Sequence, residues 1–164
     1  MPTFSETISS LKNPTESRDR RLALIKQIER KTKRRLLVYV ADVNKPESIL
    51  NPEDKTGFSD LIEGIRDREV DFLINSPGGV AEVTEAIVSM IRARFTNVRF
   101  MIPTMAKSAG TLLVLSGDEL LMDHRSELGP VDPQKFTKSM RIQPVAPCKN
   151  SRQGFSLSRY PGSG

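Results

Sequence analysis

A chain of 164 residues is long enough for one hydrophobic core and little more. Its single cysteine, Cys148, excludes an intrachain disulfide and a paired-cysteine zinc site, and with one histidine no metal constellation of ligand spacing remains. The net charge of +5 sits at the two ends; residues 36–138 hold eleven Lys/Arg against sixteen Asp/Glu, so the body is acidic and poorly suited to nucleic acid.

Residues 1–17 are polar and read as a flexible N-terminal arm. The opening has no apolar leader, and no run of about 18 apolar residues occurs, so no membrane-spanning helix is expected within the chain. With a lone cysteine, this reads as a reduced, cytoplasmic setting. Residues 18–35 predict a strongly basic helix on which Leu22, Ile25 and Ile28 fall three apart, with Leu24 nearby, as a narrow apolar stripe. The stripe is expected to pack on the body with its basic face in water; contact with nucleic acid or an anionic membrane is the alternative. A strand is expected over 36–43, a loop over 44–57 and a helix over 58–67.

The pattern then becomes regular. A strand over 70–74 leads through a Gly-containing turn into an amphipathic helix over 81–94, with Val83, Ala86, Ile87, Met90 and Ile91 on one face. A strand over 98–102, a buried helix over 108–115 and a strand over 119–122 follow. Strand–helix alternation at this spacing predicts an α/β layered fold with parallel strands and right-handed βαβ crossovers. Because aromatics make up only 5% of the chain, its core is expected to rest on Ile, Leu, Val, Met and Ala. Beyond Gln134 periodicity fails, and residues 135–164 read as a mostly disordered tail.

Two turns carry the chemistry. In Ser76-Pro77-Gly78-Gly79 successive glycines let the backbone turn sharply and bare its N–H groups. In Thr104-Met105-Ala106-Lys107-Ser108-Ala109-Gly110-Thr111 a serine opens a helix, where a lone serine ordinarily serves as a cap and Lys107 as a solvated side chain. Both turns follow parallel strands, so both belong at the carboxyl end of one sheet, where open α/β folds bind ligands.

Ile74-Asn75-Ser76-Pro77-Gly78-Gly79-Val80 resembles the signature turn of the Clp peptidases, and Ser108 follows Gly78 by the thirty residues that separate glycine from nucleophile in that family. The small-residue context Ala-x-Ser-Ala-Gly-Thr is closer to signal-peptide-peptidase and stomatin-operon relatives. Leu128-Gly129-Pro130-Val131-Asp132-Pro133-Gln134 resembles the serine dehydrogenase proteinase family within the ClpP/crotonase superfamily. The resemblance spans residues 18–134 and implies a ClpP/crotonase-like serine peptidase domain there. It also implies Ser108 as nucleophile of an acyl-enzyme, Gly79 and Ala109 as oxyanion-hole donors, and Gly78 as the residue shaping the turn. A peptide or protein substrate, homo-oligomeric assembly and no cofactor follow from the same likeness.

The base stays open. In the family a histidine follows the serine by about twenty-five residues, but here that position is Pro133. His124 lies nine residues early, Asp132 could orient a base, and Lys149, forty-one residues after Ser108, could act as in a Ser–Lys dyad. Lys107, next to the serine, has an awkward geometry for the same proton. Sequence after Gln134 no longer resembles the family, which implies a shortened C-terminus and an activity in doubt. The competing readings are a non-catalytic assembly module of this fold and a crotonase-type acyl-CoA enzyme. The latter lacks its adenine-binding motif and its acid/base glutamate near the second turn. No phosphate-binding loop is present, so ATP dependence would need a separate partner.

Overall fold

Alternation along two strands organises the body. In β2 (Glu69–Asn75) the side chains of Val70, Phe72 and Ile74 fall on one face, and in β3 (Asn97–Ile102) those of Val98, Phe100 and Ile102 do the same; all six are buried. With β1 (Arg35–Val40) and β5 (Glu119–Met122) they form a parallel sheet of order β1-β2-β3-β5. The registers place Leu37, Phe72, Phe100 and Leu120 in one row across it. The computed structural model describes residues 14–45, 48–131, 134–136 and 142–144. They fall into two units that divide after Val131.

Helices α1 (Pro14–Thr32), α2 (Pro52–Ile62), α3 (Ala81–Arg94) and α4 (Ala109–Leu115) complete the first unit, together with a two-stranded parallel pair, β4 (Met105–Ala106) and β6 (Glu127–Leu128). Its buried apolar residues are largely Ile, Leu, Val and Ala, as expected, with four phenylalanines among them. Phe72 stacks on Phe100 (centroids 5.5 Å) and meets Phe58 and Phe95 at 6.3 Å. The chain has few aromatics, but four of its seven phenylalanines sit together under α2 and α3, where large rings fill most volume per residue.

The regular segments match closely: the helix over 81–94 and the strand over 119–122 have the expected bounds. Three others move. α1 begins at Pro14 rather than Arg18, since proline at the first helical position lacks only an N–H that would go unbonded. It ends at Thr32, where Lys33 turns left-handed (φ 59°) and its amide closes on the Glu29 carbonyl, releasing Arg34 and Arg35 toward the sheet. α2 occupies 52–62 instead of 58–67, because Asn51-Pro52-Glu53-Asp54 is a helix start: Asn51 Oδ1 accepts the Glu53 amide and Asp54 accepts the Asn51 amide, both at 2.8 Å. The first strand stops at Val40 rather than 43. In the second unit, β7 (Gln134–Phe136) pairs antiparallel with β8 (Ile142–Pro144), where no regular structure was expected. A three-residue backbone ladder needs no apolar period long enough to read.

Candidate active site

The two chemical turns are sewn to each other by backbone hydrogen bonds. The Ser76 amide donates to the Met105 carbonyl (3.0 Å), and the Lys107 amide donates to the Ser76 carbonyl (3.0 Å). Asn75 adds its side-chain oxygen to the Met105 amide (3.2 Å). Buried Ser76 accepts the Gly78 amide on its hydroxyl (3.2 Å), which commits that donor within the turn. Thus residues thirty apart in sequence are fixed at one end of the sheet before any ligand arrives.

Gly78 and Gly79 are required there by backbone and by space. Their φ values are 108° and 155°. A methyl group on Gly78 would lie 2.8 Å from the Lys107 carbonyl oxygen and 2.9 Å from Ser108 Cβ, so the glycine turn rests directly against the serine. A methyl on Gly79 would strike the backbone of Leu50. That residue forms an isolated parallel bridge with Gly79: its amide donates to Gly78 O (2.8 Å), and its carbonyl accepts from Val80 (2.9 Å). The stretch 44–57, read as a loop, therefore supplies a strut that sets the turn's plane. No apolar period marked Leu50; its backbone does the work.

Ser108 departs from the cap reading. It stands at the N-cap position of α4 but makes no side-chain capping bond, and its φ and ψ are 48° and −118°. A non-glycine residue in such a region costs about 1–3 kcal/mol and persists only where its surroundings impose it. The imposing bonds run from the Gly110 amide to Lys107 O and from the Thr111 amide to Ser108 O, both 2.8 Å. Its hydroxyl is half-buried and unbonded among the described residues. Among those residues the amides of Gly79 and Ala109 also have no acceptor. A strained strand-to-helix serine with two free backbone donors nearby is the arrangement that acyl-transfer chemistry needs.

A third segment closes the group. Thr111, buried one turn into α4, donates from Oγ1 to Ala106 O (2.7 Å) and accepts the Gly129 amide (3.2 Å), while β6 pairs with β4. Lys107 forms an ion pair with Glu127 (2.5 Å), which lowers the Glu127 carboxyl below the usual carboxylate range. The lysine stem lies against Gly129. Lys107 is thus neither simply solvated nor free to serve Ser108.

The remaining candidates are not gathered. His124 sits exposed in a turn after β5 that is organised by Asp123, whose carboxylate takes the Arg125 amide (2.7 Å) and whose own amide donates to Ser126 Oγ (2.9 Å). Hydrogen bonds from the Arg125 amide and guanidinium hold the Asp123 carboxyl below its ordinary range. No hydrogen bond links His124 to Ser108 among the described residues. Asp132 and Lys149 lie outside the described residues. The parts that Thr111, Ser76 and Leu50 play were not legible in the sequence, because each acts through contacts that spacing does not encode.

Fold and site geometry together define a ClpP-like α/β peptidase scaffold. A family model of ClpP-like SDH-type serine proteinases matches residues 55–145, and the chain belongs to that family. Two proteins of Methanocaldococcus jannaschii, both named as uncharacterized, are similar: MJ0137 is 38% identical over 69 residues (42% of this chain, 24% of that protein), and MJ1495 is 30% identical over 129 (70% and 42%). The chain spans less than half the length of these curated relatives. Among solved structures, a serine-to-alanine mutant of the 1510-N membrane-bound stomatin-specific protease has a TM-score of 0.51 at 20% identity, covering 60% of this chain and 51% of that one. A lysine-to-alanine mutant of the same protease, in complex with a substrate peptide, has a TM-score of 0.51 at 22% identity, covering 68% and 52%. At these identities the structural likeness concerns the fold.

Proposed function

We propose that the chain is a serine endopeptidase that cuts peptide bonds through an acyl-enzyme on Ser108. The observation that carries this reading is the strained, uncapped Ser108 set against Gly78, with the Gly79 and Ala109 amides without an acceptor among the described residues. In the proposed reaction Ser108 Oγ attacks the scissile carbonyl carbon while a base accepts the hydroxyl proton. The oxyanion is held by the two amides, each supplying about 3 kcal/mol of transition-state stabilisation. The amine leaves with that proton, and water, deprotonated by the same base, releases the acyl group.

Lys149 is assigned as the base. The serine and the lysine replaced in the stomatin-specific protease mutants are forty-one positions apart, as are Ser108 and Lys149. The exposed position of His124 on its turn favours the same choice. Substrate is a peptide or protein, and the enzyme self-associates. Hydrolysis of a fluorogenic peptide library by the 164-residue chain, its S108A, K149A and H124A variants tests the reading. Activity in wild type and H124A, absent from S108A and K149A and rising with pH, is expected. Activity that survives in S108A overturns the nucleophile; activity that survives in K149A but not H124A overturns the base.

A further inference from the structure

The Thr111 side chain does something its helix does not require. A threonine within a helix ordinarily turns its hydroxyl back on a carbonyl three or four residues earlier. Those carbonyls, of Ser108 and Lys107, already accept the Thr111 and Gly110 amides, both at 2.8 Å. The Thr111 hydroxyl reaches past them and donates to the carbonyl of Ala106, in β4, at 2.7 Å. Donor and acceptor residues are both buried. The bond therefore runs from helix to strand across the turn, with Ser108 inside the loop it closes.

The same hydroxyl is held from its other side. Its oxygen accepts the Gly129 amide at 3.2 Å, and that amide lies 3.2 Å from the Ala106 carbonyl as well, so the three groups form one triangle. A methyl group on Gly129 would lie 3.1 Å from Lys107 Cα, which places this end of β6 against the residue before the serine. The positive φ of Ser108, 48°, persists only while its surroundings impose it. Among the described residues two hydrogen bonds span Ser108 from one side to the other. The Gly110 amide to the Lys107 carbonyl is a backbone bond that almost any residue could make; the Thr111 hydroxyl to the Ala106 carbonyl needs this side chain.

We propose that Thr111 is a positioning residue for the nucleophile. By tying Ala106 to α4, its hydroxyl holds Ser108 in the strained geometry that presents Oγ to the substrate carbonyl and keeps the Ala109 amide beside it. The hydroxyl stays bonded to Ala106 throughout, exchanges no proton with the substrate and acts only through the backbone. This rests on the acyl-enzyme reading above and adds to it a residue that touches neither substrate nor base.

Three variants of the full chain test it. T111V removes the hydroxyl at nearly constant shape and leaves the Ala106 carbonyl with the Gly129 amide; T111A also lacks the hydroxyl, and T111S keeps it. Circular dichroism establishes folding, and each folded variant is compared with wild type in its rate constant for fluorophosphonate labelling of Ser108 and in kcat and KM on a cleaved peptide. T111V and T111A should label about 10–10²-fold more slowly yet reach full stoichiometry, with kcat falling by a similar factor and KM changing less than about twofold. T111S should stay within about threefold of wild type. A purely structural role would lower the fraction of molecules that label and leave their rate constant unchanged. A wild-type rate constant in T111V, a T111S as slow as T111V, or loss of the fold in both hydroxyl-free variants overturns the proposal. A folded wild type that neither labels nor cuts peptide overturns the acyl-enzyme reading itself, and the proposal with it.

Discussion

The two ends of the central sheet use similar polar chemistry to opposite purposes. Toward the amino ends of the strands, Asp71 is fully buried between Arg99, which donates to both its oxygens (3.0 and 2.7 Å), and Arg34, whose Nε lies 3.3 Å away. Arg34 also donates to the Asn97 carbonyl and side chain. These charges answer one another, and removing one partner of such a buried cluster leaves the others uncompensated. At the carboxyl ends, the Gly79 and Ala109 amides and the Ser108 hydroxyl have no such answer among the described residues. Polar groups that satisfy one another hold a sheet; groups held apart from any partner wait for a ligand.

The largest effect should come from breaking the satisfied end. D71A leaves two arginines facing each other and should cost about 3–5 kcal/mol in urea unfolding, whereas a D71L/R99M double variant should recover much of that. If the single variant is nearly neutral, the cluster is not structural. At the other end G78A should lower peptidase rate about 10²–10³-fold by displacing Ser108 and its donors, with a smaller loss in thermal stability, because the added methyl meets the Lys107 carbonyl and Ser108 Cβ. An unchanged rate would remove Gly78 from the site.

Replacing the strained serine sharpens the contrast in sign. S108G should raise stability by up to about 1 kcal/mol in the same urea assay while abolishing activity, since glycine accepts φ 48° without strain. A destabilised S108G would mean that the backbone there is not strained. The smallest effect is an acid one. Hydrogen bonds from Arg92 and the Val98 amide hold the exposed Asp118 carboxyl below its ordinary value, near 3.9 in an unfolded chain. A carboxyl depressed in the folded state favours folding above the unfolded value, and its contribution drains away as pH falls from about 4 through the lower folded value. Comparing wild type with D118N by melting from pH 6 to pH 2 should show the wild-type advantage vanish in that range.

Most of the sheet and the positions of both turns were legible, because Val70-Asp71-Phe72-Leu73-Ile74 and Val98–Ile102 are short, mostly apolar runs of strand length and the glycine–serine spacing survives in one dimension. What escaped notice acts at a distance or through backbone alone. Asn51-Pro52-Glu53-Asp54 is a local helix start, hidden because the apolar period begins only at Phe58. Leu50 sets the glycine turn with its amide and carbonyl, which every residue owns. Thr111 reads as one more small helix residue until Gly129, eighteen positions on, is brought to its hydroxyl. Even the strain at Ser108 is imposed by the bonds on either side rather than by serine itself.

Treating the folded chain with a fluorophosphonate and locating the adduct by peptide mass spectrometry tests the central claim most directly. A single phosphonylated residue at Ser108, absent from S108A and sharply reduced in G78A, is the predicted result. Folded wild-type protein that takes no label, or carries it on a serine other than Ser108, would contradict the account.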